Sequence, residues 1–300
     1  KFMHSQAFKG CALMEEVILN SGLLSIGAES FNGLALLEDA NLPNTIKSIG
    51  LKAFTGTKVI TKNGVSSGNA TYLDTTDGNS KYLVAVNATA TKVTIHEDTK
   101  WIDQYALNNA TSVKTFESDT NNFVVYDDTF LISKDSSVLY ATVKANTIED
   151  FTYINSIKEI APYALANTKL DQFALPKRLE KIGAYAFYNA KETDSDNDSL
   201  VFPSTLVEIG EHAFNNLSGY RDIQLNDGIK MLGAEALSSI SQTSLEDLFL
   251  PLSLEYVGSN VFESSAFSSI KVEADENPSS WDSAWFGTTN IETIMFGSFR

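Results

Sequence analysis

The stretch LVEIGEHAFNNL, residues 206–217, recurs along the chain with small changes. It stands as LEKIGAYAFYNA at 179–190, as IKSIGLKAFTGT at 46–57 and as IKMLGAEALSSI at 229–240. Self-similarity with a period of roughly 20–50 residues is the sequence mark of a repeat architecture, in which each unit stacks on its neighbours. This phrase therefore decides the fold class before any other feature of the sequence.

The units align on the second residue of the AF pair, which we number as position 0 of each unit. Position 0 is apolar throughout, at Phe8, Phe31, Phe54, Leu107, Leu165, Phe187, Phe214, Leu237, Phe262 and Phe286. Position −1 is small in most units, which leaves room for the backbone of the next coil. Positions −14 and −12 carry two more apolar side chains, a spacing typical of a short strand with one buried face.

Two further positions predict local geometry. Positions −5 and −1 lie four residues apart, which predicts a single helical turn with both side chains on one face. Glycine occupies position −4 in several units, where we expect a backbone turn with positive φ. These glycines are Gly27, Gly50, Gly183, Gly210, Gly233 and Gly258.

A single unit offers too few apolar side chains to offset the entropy lost when its own backbone is ordered. Stacked units share a continuous core, so the sequence predicts one solenoid domain over residues 1–300. The first residues lack the apolar core of a signal peptide, and the repeat is already under way at residue 1. We therefore expect the chain to be a segment of a longer precursor.

Two insertions interrupt the array, at about 58–92 and 117–150. They contain the related stretches TYLDTTDGNSKYLVAV (71–86) and TFLISKDSSVLYAT (129–142), each of which predicts a β-hairpin. Two interpretations stay open. The hairpins either extend and cover the sheet, or form a side wall for a partner, as insertions on one face of a solenoid often do.

Composition excludes several classes of function. The net charge of −16 disfavours binding to nucleic acid and to anionic membranes. No apolar run is long enough for a transmembrane helix, so we expect no membrane insertion by this segment. The single cysteine, Cys11, allows no internal disulfide, and we expect it to be a small buried side chain.

The repeat phrase resembles that of the BspA-like leucine-rich repeat family, close to L-x-x-I-G-x-x-A-F with an L-x-x-I-x-L-P strand. Here LEKIGAYAF (179–187) and LEDLFLPLSLEYVGSNVF (245–262) match it. The resemblance implies an α/β solenoid, a right-handed array of about ten coils with short strands on one face and short helical turns on the other. Members are mostly bacterial surface or secreted proteins, and some are linked to adhesion. The resemblance carries no catalytic motif.

Candidate metal and catalytic residues are weak. Asp194, Asp196 and Asp198 have the alternate spacing of a calcium loop, but Ser199 stands where glycine is needed. The three histidines lie in different units and form no zinc spacing. We therefore predict neither a metal nor a cofactor, and we interpret 192–200 as a solvated loop insertion.

Binding candidates are aromatic residues. Position −13 should point away from the core and is mixed in character, with Phe249 its only aromatic member. The hairpins supply the others, and the full candidate set is Tyr72, Tyr82, Phe130, Tyr140 and Phe249.

The sequence thus predicts a non-catalytic, extracellular or cell-surface interaction and adhesion module. It would bind a protein or glycan ligand, for which a host is one candidate source, through an extended face. One alternative is a polysaccharide-acting enzyme that uses Asp127 and Asp128 together with Asp74 and Asp77, although these also fit as ordinary turn residues. The other alternative is a structural spacer.

Overall fold

The computed structural model describes residues 1–149, 154–194, 199–240, 248–251, 253–267, 269–272 and 293–296. The chain winds as a β-solenoid of about 10 turns with little helix. Its contacts group into two compact units, residues 1–134 and 135–300.

The first unit contains short strands and two helices. They are β1 (Glu16–Val17), β2 (Ser25–Ile26), β3 (Asp39–Ala40), β4 (Ser48–Ile49), α1 (Val59–Asn63), β5 (Val65–Ser67), β6 (Ala70–Asp74), β7 (Lys81–Val86), β8 (Lys92–Ile95), β9 (Thr99–Ile102), α2 (Gln104–Asn108), β10 (Thr115–Ser118), β11 (Phe123–Tyr126) and β12 (Phe130–Ser133). Parallel pairs join β1 to β3, β2 to β4 and β8 to β10. Antiparallel pairs join β5, β6 and β7 in order, β9 runs parallel to β7, and β11 pairs antiparallel with β12.

The second unit is built from parallel strands. They are β13 (Val138–Thr142), β14 (Thr147–Ile148), β15 (Glu159–Ile160), β16 (Lys169–Leu170), β17 (Lys181–Ile182), β18 (Lys191–Glu192), β19 (Ser199–Val201), β20 (Glu208–Ile209), β21 (Asp222–Gln224), β22 (Met231–Leu232), β23 (Leu248–Leu250), β24 (Tyr256–Val257), β25 (Ser269–Val272) and β26 (Thr293–Phe296). One line of pairing runs β13-β15-β17-β20-β22-β24. A second runs β14-β16-β18, and a third contains β19-β21 and β23-β25-β26.

The predicted helical turn between positions −5 and −1 is wrong for most coils. Positions −6 and −5 form the longest strand line of the second unit, and the residues that follow form turns. In the described ranges α-helix is confined to α1 and α2. The cause is a left-handed residue at position −2, which a right-handed helix does not accept. These residues are Gln6, Glu29, Lys52, Tyr163, Tyr185, His212, Glu235 and Asn260.

A second left-handed residue follows at position +2. Glycine fills it in the first unit and asparagine in much of the second, as expected of the residues that tolerate this conformation. The asparagines also bond between coils, since the Asn189 amide donates to Asn167 Oδ1 at 2.9 Å and Asn216 donates to Asn189 Oδ1 at 2.7 Å. This row is Gly10, Gly33, Gly56, Asn167, Asn189, Asn216, Ser239 and Ser264.

The aromatic residues of position 0 stack in the core, as predicted. Ring centroids of Phe31 and Phe54 lie 5.1 Å apart, and those of Phe187 and Phe214 lie 4.9 Å apart. The backbone N–H of Phe187 donates to the carbonyl of Ala213 on the next coil at 2.7 Å. A small residue at position −1 therefore lets adjacent coils approach to hydrogen-bond distance.

The predicted reason for glycine at position −4 is wrong. None of these glycines has positive φ. Instead, a Cβ on Gly50 would lie 2.3 Å from the backbone nitrogen of Ala28, and one on Gly210 would lie 2.6 Å from that of Ala184. Glycine is required because the preceding coil's backbone occupies the space of a side chain.

The strand prediction at positions −14 and −12 is confirmed at Leu200, which pairs with Ile223. Two details differ. Leu248 pairs with Ile270 where the alignment predicts Val272, because a shift of two residues keeps the same side chains on the buried face. Val93 pairs with Phe116, so β10 continues the strand line into the second insertion.

Cys11 is exposed, and its predicted burial is wrong. It occupies position +3, which is buried at Leu34 and Thr57.

Candidate functional site

A buried carboxylate organises one step of the second unit. Glu192 ends β18 and is only 2% exposed, although Leu170, its partner in the strand line, is apolar. A buried carboxylate is stable only where hydrogen-bond donors replace water. Its Oε1 accepts the backbone N–H groups of Thr193 at 2.8 Å and Asp194 at 2.9 Å.

The other oxygen of Glu192 reaches two neighbouring coils. Oε2 accepts the backbone N–H of Phe173 at 3.1 Å and the hydroxyl of Tyr220 at 3.2 Å. Burial, and then the Glu192 charge, raises the pKa of Tyr220, so the phenol keeps its proton and acts as the donor. The two oxygens of Glu192 thus accept four hydrogen bonds.

These bonds hold the segment 172–175 away from the strand pairing that the repeat predicts for it. Gln172 is left-handed with φ 51°, and Phe173 gives its N–H to Glu192. No strand forms at 172–175, although Phe173 should occupy the row next to Leu200. A cleft of about 480 Å³ lies here, lined by Gln172, Phe173, Ala174, Leu175, Lys177, Asp194, Ser199, Leu200, Val201 and Pro203.

The cleft has an apolar base and charged ends. Phe173, Leu175 and Leu200 are buried beneath it. Asp194 lies at the end where the segment begins, because its N–H and that of Phe173 share the Glu192 carboxylate. Lys177 lies at the other end, two residues beyond Leu175.

The predicted outward row presents apolar side chains, and one of its members, Val201, also lines the cleft. Val201 is 54% exposed and Phe249 is 39% exposed. The Phe249 ring lies 5.1 Å from Lys271 Nζ, across the pair that joins β23 to β25. Aromatic side chains such as Phe249 are enriched at the centres of protein interfaces.

The predicted aromatic candidates do not gather at one place. Tyr72, Tyr82 and Phe130 belong to the first unit and are 0%, 0% and 5% exposed, so they pack in its core. Tyr140 and Phe249 belong to the second unit, where Tyr140 is half-buried. Phe249 is thus the candidate that solvent reaches most fully.

The carboxylates of the enzyme alternative take part in turns. Asp74 pairs with Lys81 Nζ at 2.8 Å within the β6–β7 hairpin. Asp77 Oδ1 accepts the Thr75 hydroxyl at 2.7 Å, and this bond first, then the Asn79 N–H, lowers the pKa of Asp77. Asp127 and Asp128 are left-handed residues between β11 and β12. A general acid would need a raised pKa, so Asp77 has the opposite property.

Asp196, Asp198 and the tryptophan-containing tenth unit lie outside the described residues. Within the described ranges, no group of acidic, histidine or cysteine side chains has the arrangement of a metal site. Within the same ranges, every helix is too short or too polar to cross a bilayer.

Sequence reasoning missed Glu192 and the cleft. Two signals were present. The gap between position 0 and the next strand lengthens to 13 residues after Phe187, against 8 after Leu165 and 9 after Phe214. An acid also stands at position +5, where the preceding coil has Leu170.

The repeats of this chain match those of a known protein family. Residues 1–135, 140–197 and 192–299 match the family described as BspA type leucine rich repeat region, in 6 copies. No curated protein matches the sequence.

Three solved structures that match the chain are of bacterial proteins. Pneumococcal vaccine antigen PcpA has a TM-score of 0.57 at 17% identity, over 99% of this chain and 78% of that one. A leucine rich cell surface protein of Faecalibacterium prausnitzii has a TM-score of 0.47 at 18% identity, over 95% and 66%. A leucine-rich repeat protein of Eubacterium ventriosum has a TM-score of 0.45 at 18% identity, over 93% and 84%.

Proposed function

The chain belongs to the BspA type leucine-rich repeat family, and on that premise we propose that it is a non-catalytic, surface-displayed module that binds a partner protein through the outward face of its coils. Solenoids offer extended surfaces for binding, because each repeat adds the same outward positions to one face. A surface location is part of the proposal, and the description of PcpA as a vaccine antigen supports it.

The observation that carries the proposal is the exposure of apolar side chains in the outward row of the second unit. Val201 and Phe249 lie at equivalent positions of different coils and are 54% and 39% exposed. Exposed apolar groups on one face favour a protein partner, since a non-obligate interface places such residues at its centre. The net charge of −16 favours a partner with cationic groups around that centre.

The proposal also includes the handedness of the solenoid, its extent and the role of the first hairpin. The family phrase favours right-handed winding and one solenoid over residues 1–300. The first hairpin serves to extend the sheet, because Tyr72 and Tyr82 on its strands are buried. Phe130, at the start of β12, is buried as well. A wall of aromatic side chains for a ligand would leave these rings exposed.

The test is an array of proteins and glycans probed with the wild-type chain and with the double variant Val201→Asp, Phe249→Asp. We expect saturable binding to protein spots that the double variant loses, with an unchanged circular dichroism spectrum. Val207→Asp is the matched control, because Val207 is 39% exposed but lies beside β20, on another strand line. Binding to glycans alone, or protein binding that the double variant keeps, would contradict the proposal.

A further inference from the structure

The cleft beside Glu192 has an open strand edge as one wall. β19 pairs with β21 alone among the described strands, so its other edge faces the segment 172–175. The row predicted to pair there is displaced by the left-handed Gln172 and by the bond from Phe173 to Glu192. The opening is therefore built into the packed structure and held by a buried carboxylate.

The hydrogen bonds of β19 define which backbone groups face the cleft. Phe202 donates its N–H to the carbonyl of Gln224 at 3.0 Å, so residues 200 and 202 direct their groups toward β21. Residues alternate in a parallel ladder, and the N–H and C=O groups of Ser199 and Val201 therefore point into the cleft. No described residue bonds to them. An open edge of this kind is a template for another strand.

We propose that this cleft binds an extended peptide segment of a partner protein, which adds to β19 as a parallel strand. The inference rests on the proposed function and names the kind of segment that the partner offers. Main-chain bonds to the edge would supply affinity, and pockets for alternate side chains would supply selectivity. A volume of about 480 Å³ lies in the range of binding pockets.

The lining of the cleft defines the sequence of the peptide. Its buried base of Phe173, Leu175 and Leu200 favours an apolar residue in the middle. The strand pairs of this line are all parallel, so the added strand should start at the Asp194 end. Charge complementarity then requires a basic residue first and an acidic residue last, beside Lys177.

The first experiment uses a fluorescein-labelled, end-capped peptide, Lys-Val-Thr-Val-Glu, and measures fluorescence anisotropy with the full chain. We expect saturable binding that weakens about fivefold or more for the reversed order Glu-Val-Thr-Val-Lys, because both charges then face like charges. In an added strand, alternate N–H groups of the peptide point to opposite edges. One N-methylated peptide is therefore modified at its residues 2 and 4, and a second at its residue 3, so that each loses the donors of one edge. One of the two patterns should weaken binding about tenfold or more, since it removes bonds to β19.

A protein variant provides the reciprocal test. Lys177→Glu should weaken binding of Lys-Val-Thr-Val-Glu and strengthen binding of Lys-Val-Thr-Val-Lys. The matched control is Lys169→Glu, an exposed lysine of β16 outside the cleft, which should change neither affinity. Because both charges are at the surface, neither variant should alter folding.

Absence of peptide binding at millimolar concentration, or binding that is indifferent to N-methylation and to Lys177→Glu, would overturn the inference. Partner binding in the array that is lost in the single variant Phe249→Asp, whose residue lies outside the cleft lining, would leave the proposed function intact in that case. Peptide binding with the expected pattern, together with array binding that is unchanged in Phe249→Asp, would retain the cleft and refute the outward face.

Discussion

Glu192 Oε2 accepts the backbone N–H of Phe173, which lies on the preceding coil, at a distance of 3.1 Å. A side chain thus takes the place of a strand neighbour at this step of the solenoid. The same carboxylate holds Tyr220 from a following coil, so one acid ties three successive coils together.

Replacing Glu192 should destabilise the second unit strongly. Glu192→Gln keeps the size of the side chain but replaces one carboxylate oxygen with an NH2 group. That group cannot accept the two hydrogen bonds that the oxygen accepted, so two donors lose their acceptor. At roughly 1–3 kcal/mol for each buried group left unpaired, we expect a loss of about 3 kcal/mol or more in the free energy of unfolding. Urea unfolding followed by circular dichroism measures it.

The control for that substitution is Glu180→Gln. Glu180 is exposed and pairs with Lys158 at 2.8 Å on the surface. Its loss should cost no more than about 1 kcal/mol. Equal losses of unfolding free energy for the two substitutions would show that the buried hydrogen bonds of Glu192 do not stabilise the second unit.

Tyr220→Phe removes one donor from the same carboxylate without changing the shape of the ring. A hydrogen bond to a charged acceptor is worth roughly 1.5–3 kcal/mol, and we expect a loss of that order. The effect should fall well below the sum when combined with Glu192→Gln, because the two groups interact directly. Strict additivity in this double-mutant cycle would argue against the bond.

Glycine is required for different reasons at its two positions in the repeat, for a left-handed backbone at position +2 and for lack of room at position −4. Asparagine tolerates the left-handed region, so Gly33→Asn should be nearly neutral, since nothing lies within 4 Å of the added Cβ and φ is 74°. Gly50→Asn should destabilise by about 3 kcal/mol or more, because its Cβ would meet the Ala28 backbone nitrogen at 2.3 Å. Thermal unfolding of both variants measures the difference. A tolerated Gly50→Asn would restore the conformational explanation.

Those glycines show how far the sequence could be interpreted. The spacing of positions 0, −1 and −14 predicts stacked coils, because a shared core requires the same side chains in every unit. The spacing cannot show whether a glycine is needed for positive φ or for close approach of a neighbouring backbone, because glycine satisfies both requirements.

The cleft was harder to predict for another reason. Glu192 occupies an apolar row, and only the placement of Phe173 and Tyr220 around it shows that its buried oxygens have hydrogen-bond donors. The burial of three of the five aromatic candidates was not predictable from the sequence, because the alternating pattern of a hairpin gives two faces and does not say which of them is covered. The two-residue period of a strand does not predict that Tyr72 and Tyr82 are both fully buried.

Asp103 should make the stability of the first unit depend on pH. It precedes α2, accepts the Tyr105 N–H at 3.0 Å and is 2% exposed. Burial raises the pKa of Asp103 from 3.8 to about 6. Between these values the folded chain binds a proton that the unfolded chain does not. The contribution of Asp103 to stability therefore increases as pH falls from about 6 to about 4, by about 3 kcal/mol.

The measurement compares wild type with Asp103→Asn in urea at pH 7 and pH 4. Asparagine caps a helix as well as aspartate does, so capping cancels in the comparison. The free energy of unfolding of wild type minus that of the variant should rise at the lower pH. Glu38→Gln is a control of opposite sign, because hydrogen bonds first from Lys58 and then from Lys62 lower the pKa of Glu38 to about 2. Its stabilising contribution is present above pH 4.5 and is lost as pH falls toward 2. A wild-type advantage over Asp103→Asn that shrinks on acidification would show that Asp103 is ionised in the folded chain throughout this range.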